Sequence, residues 1–298
     1  MPSPPLTALL AVAAALAAAY GLAVAGLFLL QDHLVFPRFA VRAGPWAALP
    51  PGAERLELRA ADGGHRLVGT LVGASSGGDE GGGGRVLLLG FAGNAMHAGE
   101  LALYLGRRLP GLDVAVFHYR GYAPSEGRPG EEALVADAVV QHDHLVARLE
   151  PARVLLAGFS LGSGVAARLA RERRVDGLLL VTPFDSVEAL AAARFPWAPV
   201  RRLLRHRFRS DLHLAGLDVP AAVIAAGADR VVPAARSEAL AAVLVLPVFA
   251  ETLPGATHNG IYGLPAMDAA LRRAVSALLD AAAGGVPRGG GGSRSAEP

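Results

Sequence analysis

Residues 154–164 read VLLAGFSLGSG, and this stretch decides the predicted fold. Its apolar start is typical of a buried strand, its centre is the pattern G-x-S-x-G, and residues 165–174 continue with helical spacing. Small residues are needed around Ser160 because a sharp turn between a strand and a helix leaves no room for larger side chains. The pattern alone is loose, but the flanking strand and helix make it specific. Ser160 is therefore the predicted nucleophile, and a structural turn serine is the alternative.

Similar apolar runs recur along the chain, with amphipathic segments between most of them. Continuous runs bounded by turn residues are typical of strands buried on both faces of a sheet. The alternation predicts an α/β fold with a mostly parallel sheet, helices on both faces and right-handed crossovers. Two short strands around the turn ADGG at residues 61–64 predict an antiparallel start. The predicted strands are residues 55–60, 65–72, 86–89, 114–117, 154–157, 178–181, 222–225 and 248–253.

Two later loops offer the acid and the base that a serine nucleophile needs. The sequence GADRVVP at 227–233 contains Asp229 after a predicted strand, and PGATHNG at 254–260 contains His258 after the last one. We expect His258 to remove the proton of Ser160 and Asp229 to orient the imidazole.

Other roles for these residues remain open from sequence alone. Asp229 could instead cap a helix, and His258 could be an ordinary loop histidine. A second candidate acid is Asp185, which ends the sequence TPFD after the preceding strand. Asp229 is the preferred acid.

The predicted oxyanion hole combines two backbone N–H groups. One belongs to Leu161, the residue after the nucleophile, and the other to the loop after an early strand, LGFAGNAM at 89–96. Its glycines let the backbone approach the substrate closely. We assign the second donor to Asn94, with Ala95 as the next candidate.

Composition excludes several classes of function. A chain of 298 residues with 52% hydrophobic content can bury a large core, and the absence of Cys excludes disulfides and thiolate chemistry. A net charge of only +2 provides no long-range field for nucleic acid. His142 and His144 are two apart on a predicted helix and cannot share a metal. We expect no metal or other cofactor and no nucleic-acid partner.

The N-terminal segment predicts a membrane anchor. Residues 6–30 carry no charge, and as a helix they span roughly 38 Å, enough to cross a ~30 Å hydrocarbon core. A cleaved signal peptide is the alternative, although this run is about twice as long as a typical signal core and no Lys or Arg precedes it. Arg38 and Arg42 follow the span, which weakly favours a cytoplasmic catalytic domain. The prediction is a single-pass membrane protein with the side of the catalytic domain left open.

The chain divides into three predicted parts. Residues 1–31 are the predicted anchor, residues 32–283 the catalytic domain, and residues 284–298 a disordered Gly, Arg, Ser and Pro tail. Residues 73–84 are a predicted glycine-rich surface loop. An arginine-rich helical insertion at 187–215 is interpreted as an amphipathic lid over the mouth of the active site, with solvated arginines. The alternative is that these arginines also rest on anionic lipid.

These motifs, in this order, resemble the α/β-hydrolase superfamily, and within it the N-terminally anchored Bem-type proteins. AGNA at 92–95 is similar to the family's HGNAG loop, and YRGYAPSEGRP at 119–129 to its YRGYG-S-G-P stretch. The resemblance covers about residues 31–282. Ala92 stands where the family usually has His, and His118 where an Asp usually precedes the tyrosine. The resemblance implies serine hydrolase chemistry without naming a substrate.

The sequence therefore predicts a serine hydrolase that cleaves carboxylic esters or thioesters through an acyl-enzyme. An anchor beside a bilayer suits a lipid-like acyl substrate. A peptidase or amidase of the same fold is one alternative, and a membrane scaffold without catalysis is another. The oligomeric state stays open.

Overall fold

Eight strands form one mixed sheet in the computed structural model, which describes residues 4–41, 49–74 and 84–284. The order across the sheet is β1-β2-β4-β3-β5-β6-β7-β8. β2 is antiparallel to both β1 and β4, and the other neighbours are parallel. This confirms the predicted mostly parallel sheet with an antiparallel start. The strands are β1 Ala53–Arg59, β2 Arg66–Val72, β3 Val86–Phe91, β4 Asp113–Phe117, β5 Arg153–Phe159, β6 Gly177–Val181, β7 Pro220–Ala226 and β8 Leu246–Leu253.

Helices cover both faces of the sheet, as predicted. Successive strand residues point to opposite faces, so Leu87 and Leu89 join the apolar cluster under α3 and α4, whereas Leu88 joins the cluster under α2 and α9. Both faces of the central strands are therefore buried, which explains why their sequences are continuous apolar runs. The helices are α1 Pro4–Val35, α2 Ala98–Arg108, α3 Glu131–Leu149, α4 Leu161–Glu172, α5 Val187–Arg194, α6 Val200–Leu203, α7 Ser210–Leu214, α8 Ala234–Ala241 and α9 Pro265–Ala283.

The segment YRGY after β4 stabilises the opening hairpin. Arg120 forms two hydrogen bonds with the Asp137 carboxylate, of 2.6 and 2.5 Å, and a third of 2.7 Å with Asp62. Asp137 also accepts the N–H of Ala61. Because Arg120 and Asp137 are both buried, their pairing compensates charges that would otherwise be costly. The cluster ties the β1–β2 turn to α3 and raises the pKa of Arg120, chiefly through the hydrogen bonds that Arg120 donates to Asp137.

Helix α1 has the length and apolar composition of a membrane span, features that a secretion signal shares. Its side chains from residue 6 to 23 are exposed. Its C-terminal half packs against the insertion at 187–215, which folds as α5, α6 and α7. Tyr20 donates to the Trp197 carbonyl at 3.1 Å, and the amide of Gln31 bridges to Leu203 and Arg205. The sequence did not predict this contact between the two segments.

Parts of the two segments predicted to lack regular structure lie outside the described residues. These parts are residues 75–83 of the glycine-rich loop and residues 285–298 of the tail.

Candidate active site

Ser160 lies in a strained turn between β5 and α4. Its backbone has φ 49° and ψ −114°, in a region that residues other than glycine rarely adopt. Such a conformation costs about 1–3 kcal/mol and persists only where the surroundings impose it. Here the Ser160 N–H donates to the Val181 carbonyl of β6 at 2.9 Å, and the Ser163 hydroxyl donates to the Ser160 carbonyl. The turn raises the Ser160 hydroxyl above the carboxyl edge of the sheet.

The structure brings Ser160, His258 and Asp229 together in a chain of two hydrogen bonds. His258 Nε2 lies 3.0 Å from Ser160 Oγ, and His258 Nδ1 lies 2.6 Å from Asp229 Oδ2. A neutral imidazole that donates from Nδ1 to the carboxylate leaves Nε2 as the acceptor for the hydroxyl proton. The Asp229 side chain is only 1% exposed. The arrangement can therefore remove a proton from Ser160 and stabilise the imidazolium that results.

The second oxygen of Asp229 is also occupied. Oδ1 accepts the backbone N–H groups of Val231 and Val232, each at 2.8 Å. These bonds fix the rotation of the carboxylate, so that Oδ2 faces His258. These bonds close the turn after β7 and do not cap a helix, because α8 begins at Ala234 with Pro233 as its N-cap.

Asp185 has different partners. Its Oδ2 accepts from Arg236 of α8 at 2.9 Å, and its backbone carbonyl accepts the Asp211 N–H at 3.0 Å. The carboxylate that hydrogen-bonds His258 is that of Asp229.

The loop after β3 lies against the nucleophile turn. A Cβ added at Gly93 would lie 3.7 Å from Ser160 Cβ, so the backbone of this loop is in direct contact with the turn. Leu161 is the first residue of α4, where an N–H has no intrahelical partner. Within the described part of the chain, neither the Leu161 nor the Asn94 N–H donates to another backbone group. The assignment of these two N–H groups to an oxyanion hole stays a prediction.

Two further contacts hold this loop in place, and the sequence analysis missed both. The Tyr119 hydroxyl donates to the Ala92 carbonyl at 2.8 Å. Tyr119, the first residue of the YRGY segment, therefore supports the loop after β3. The Asn94 side chain donates to the carbonyl of Val35, at the end of α1, at 3.4 Å. Helix α1 therefore contacts the site.

His97 and His118 form a second feature that sequence reasoning missed. Their rings lie edge to face with centroids 4.6 Å apart, and His97 Nδ1 accepts the Glu100 N–H at the start of α2. Burial, then the neighbouring His97 and Arg55, lower the pKa of His118 to about 3, so this ring is neutral at physiological pH. No spacing rule in the sequence connects His97 to His118.

The remaining histidines provide no metal centre. His206 Nε2 lies 3.2 Å from an Asp32 oxygen, and His142 Nδ1 lies 2.9 Å from an Asp143 oxygen. In the three described ranges, no three acidic or histidine side chains converge in a way that could hold a metal ion.

The glycines of the nucleophile motif are required by close backbone packing. A Cβ at Gly162 would overlap the Phe91 carbonyl oxygen at the end of β3, and one at Gly158 would lie 2.5 Å from Ser163 Cα. The absence of side chains lets α4 begin directly against the sheet and beside the oxyanion loop.

We expect Gly162→Ala to destabilise the fold by about 1–3 kcal/mol, because a backbone carbonyl cannot move aside as a flexible side chain can. Thermal unfolding of the purified full chain measures the loss. The matched control is Gly263→Ala, where an added Cβ meets nothing within 4 Å. Equal melting temperatures for the two variants would contradict the assigned role of Gly162.

Comparison with known proteins places the site in a family. Residues 138–260 match the family described as serine hydrolase, a range that includes Ser160, Asp229 and His258. The chain is 40% identical over 199 residues to an uncharacterised protein of Mycobacterium tuberculosis, and the match covers 66% of this chain and 69% of that protein. It is also 31% identical over 142 residues to the lysophosphatidylserine lipase ABHD12 of Danio rerio, covering 41% of this chain and 37% of the fish protein.

Solved structures share the fold. The α/β hydrolase from Vibrio vulnificus superposes with a TM-score of 0.63, covering 85% of this chain and 92% of that one, at 21% identity. At this identity the likeness concerns the fold alone.

Proposed function

This chain belongs to the serine hydrolases of the α/β-hydrolase fold, and from that premise we propose that it cleaves carboxylic esters or thioesters through an acyl-enzyme on Ser160. The observation that carries the proposal is the pair of hydrogen bonds, of 3.0 and 2.6 Å, that links Ser160 through His258 to Asp229. The strained turn that presents Ser160 supports the same assignment.

The proposed reaction has two halves. In the first, His258 Nε2 takes the proton of Ser160 as Oγ attacks the carbonyl carbon, and the N–H groups of Leu161 and Asn94 stabilise the oxyanion. His258 then gives its proton to the leaving alcohol or thiol. In the second half, His258 removes a proton from water as the water oxygen attacks the acyl-enzyme, and His258 then returns that proton to Ser160 Oγ as the acid is released. Asp229 stays ionised throughout and holds the imidazole with Nε2 towards the nucleophile.

The proposed substrate is an amphiphilic acyl compound. In this proposal residues 1–31 anchor the chain in a membrane, residues 32–283 carry the chemistry, and the insertion at 187–215 lies beside both. The name of the zebrafish relative, a lysophosphatidylserine lipase, supports a lipid ester over a small soluble one.

A peptidase or amidase is the second candidate of the same fold. Recognition of an N-terminal amine needs a carboxylate that is not already paired. Asp185, a carboxylate on the loop after β6, has Oδ2 on Arg236 at 2.9 Å and a side chain that is only 15% exposed, which argues against that use. A scaffold without catalysis would have no reason to keep the hydrogen-bonded arrangement around Ser160.

A fluorophosphonate probe tests the proposed activity. The full chain in detergent is expected to be labelled and then to hydrolyse acyl esters or thioesters from a panel that includes p-nitrophenyl esters and aminoacyl amides. Absence of labelling would contradict an activated serine. Faster turnover of the aminoacyl amides would instead favour the peptidase.

The proposed anchor has its own expected result. The full chain, carrying a tag at its N-terminus, should stay with membranes during an alkaline carbonate wash and keep the tag, because the 6–30 segment is long enough to cross the bilayer. Immunoblotting of pellet and supernatant measures this. Loss of the tag would indicate a cleaved signal, and release of the tagged chain would indicate peripheral binding.

A further inference from the structure

An apolar groove runs between α1 and the insertion. Six of its lining residues are Val24, Leu27, Phe28, Ala191, Phe195 and Leu203. The groove holds about 560 Å³ of space, including the part open to solvent. On the proposed function, we propose that this groove binds the acyl chain of a long-chain ester and that the chain enters it sideways from the bilayer.

The lining of the groove selects an apolar occupant. Its one polar side chain is Gln31, and the atoms of that amide are engaged within the protein. Gln31 Nε2 donates to the carbonyls of Phe28 and Leu203, and Oε1 accepts the Arg205 N–H at 2.8 Å. With these bonds satisfied, the groove offers a hydrocarbon surface, and burial of methylene groups is the main source of affinity.

One end of the groove adjoins the candidate active site. Val35 lines the groove, and its carbonyl accepts from the side chain of Asn94, the residue assigned to the oxyanion hole. Val187 lines it from the opposite side and directly follows Ser186, the cap of α5 at the end of the loop after β6. The groove therefore lies one contact away from the oxyanion loop, and the proposal places the acyl chain of a substrate bound at Ser160 past that contact.

The position of the groove along α1 determines where the acyl chain of the substrate enters the groove. The insertion flanks α1 from Tyr20 to Val35, about 22 Å of helix. Residues 6–19 alone extend roughly 21 Å, less than the ~30 Å of a hydrocarbon core. A spanning α1 must therefore bring the flanked part, and with it the groove, into the edge of the bilayer.

Charge and exposure agree with that depth. Arg205 donates to the Phe28 carbonyl at 3.1 Å and its guanidinium lies 3.3 Å from Asp32, so polar groups begin where the apolar run of α1 ends. Apolar side chains near the same end of α1 are exposed: Leu30 is 56% exposed and Leu34 is 54% exposed. This distribution suits a substrate whose chain lies in lipid and whose ester lies at headgroup level.

Filling the groove tests the proposal. Ala191 lines it on α5, whereas Ala193 on the same helix faces solvent. In Ala191→Trp, assayed as the full chain in detergent, the ratio of kcat/KM for p-nitrophenyl palmitate to that for p-nitrophenyl butyrate should fall at least about tenfold, since each excluded methylene costs about fourfold. The control Ala193→Trp should keep the wild-type ratio. An unchanged ratio in Ala191→Trp, or an equal fall in both variants, would overturn the proposal.

A binding measurement separates this proposal from the proposed reaction. A fluorescent long-chain fatty acid, titrated into full-length Ser160→Ala, should bind about tenfold more weakly when Ala191→Trp is added, with no loss when Ala193→Trp is added. If wild-type protein hydrolyses no ester, this titration still decides whether the groove holds an acyl chain. Unaltered binding combined with a change in oligomeric state would show that a second copy occupies the groove, and would overturn the acyl assignment.

Discussion

Ser160→Ala is expected to lower kcat for ester hydrolysis on the order of 10⁶-fold, the scale seen when the nucleophile of such an arrangement is removed. The physical reason is that, among the residues that the structure describes, Ser160 carries the hydroxyl that hydrogen-bonds to His258 Nε2. Initial rates with the best ester of the panel, together with fluorophosphonate labelling, measure the effect. Labelling should disappear with the activity.

Two matched serine variants serve as controls. The Ser163 hydroxyl donates to the Ser160 carbonyl, and the Ser125 hydroxyl joins the Val68 N–H to the His118 carbonyl. Ser163→Ala and Ser125→Ala remove supporting hydrogen bonds, so both variants should still be labelled. Labelling that persists in Ser160→Ala would show that the nucleophile is another residue.

Asp229→Asn is expected to lower kcat by about 10⁴-fold while the fold survives. Oδ1 of Asp229 accepts two backbone N–H groups, so an amide nitrogen is not tolerated there and must take the place of Oδ2. The amide would then donate to His258 Nδ1 and force the proton onto Nε2. That tautomer cannot accept the proton of Ser160. Turnover and thermal unfolding, measured on the same preparation, separate this effect from misfolding.

Asp185→Asn is the matched control on the neighbouring strand. It weakens an ion pair with Arg236 and leaves the tautomer of His258 unaltered. We expect the loss of turnover to be far smaller than in Asp229→Asn. If Asp185→Asn were the inactive variant and Asp229→Asn kept most of its activity, the acid would be assigned to the wrong residue.

The fold was predictable because each of its elements has a local signature. A strand buried on both faces is apolar at nearly every position, so the apolar runs identify β3 to β7 directly. The turn ADGG between two short strands predicts the hairpin of β1 and β2, which the structure confirms. The small residues around Ser160 likewise reflect a steric requirement that acts between near neighbours in the chain.

Other features depend on contacts between residues far apart in sequence. The choice between Asp229 and Asp185 as hydrogen-bond partner of His258 depends on how the loops after two neighbouring strands turn, which neither segment reveals alone. The contact between half-buried His97 and buried His118 joins a loop to the residue that follows β4. No spacing rule connects such positions.

Sequence alone was therefore sufficient for the fold class, the nucleophile turn and the candidates Ser160, Asp229 and His258, because strand burial and tight turns constrain consecutive residues. Only the tertiary structure decided that α1 and the insertion share an apolar groove, and that one of its lining residues, Val35, contacts Asn94. The residues in contact there, such as Tyr20 and Trp197, are 177 positions apart. The apolar composition of each segment predicts that it is buried or contacts a membrane. Composition does not identify which other segment of the chain it packs against.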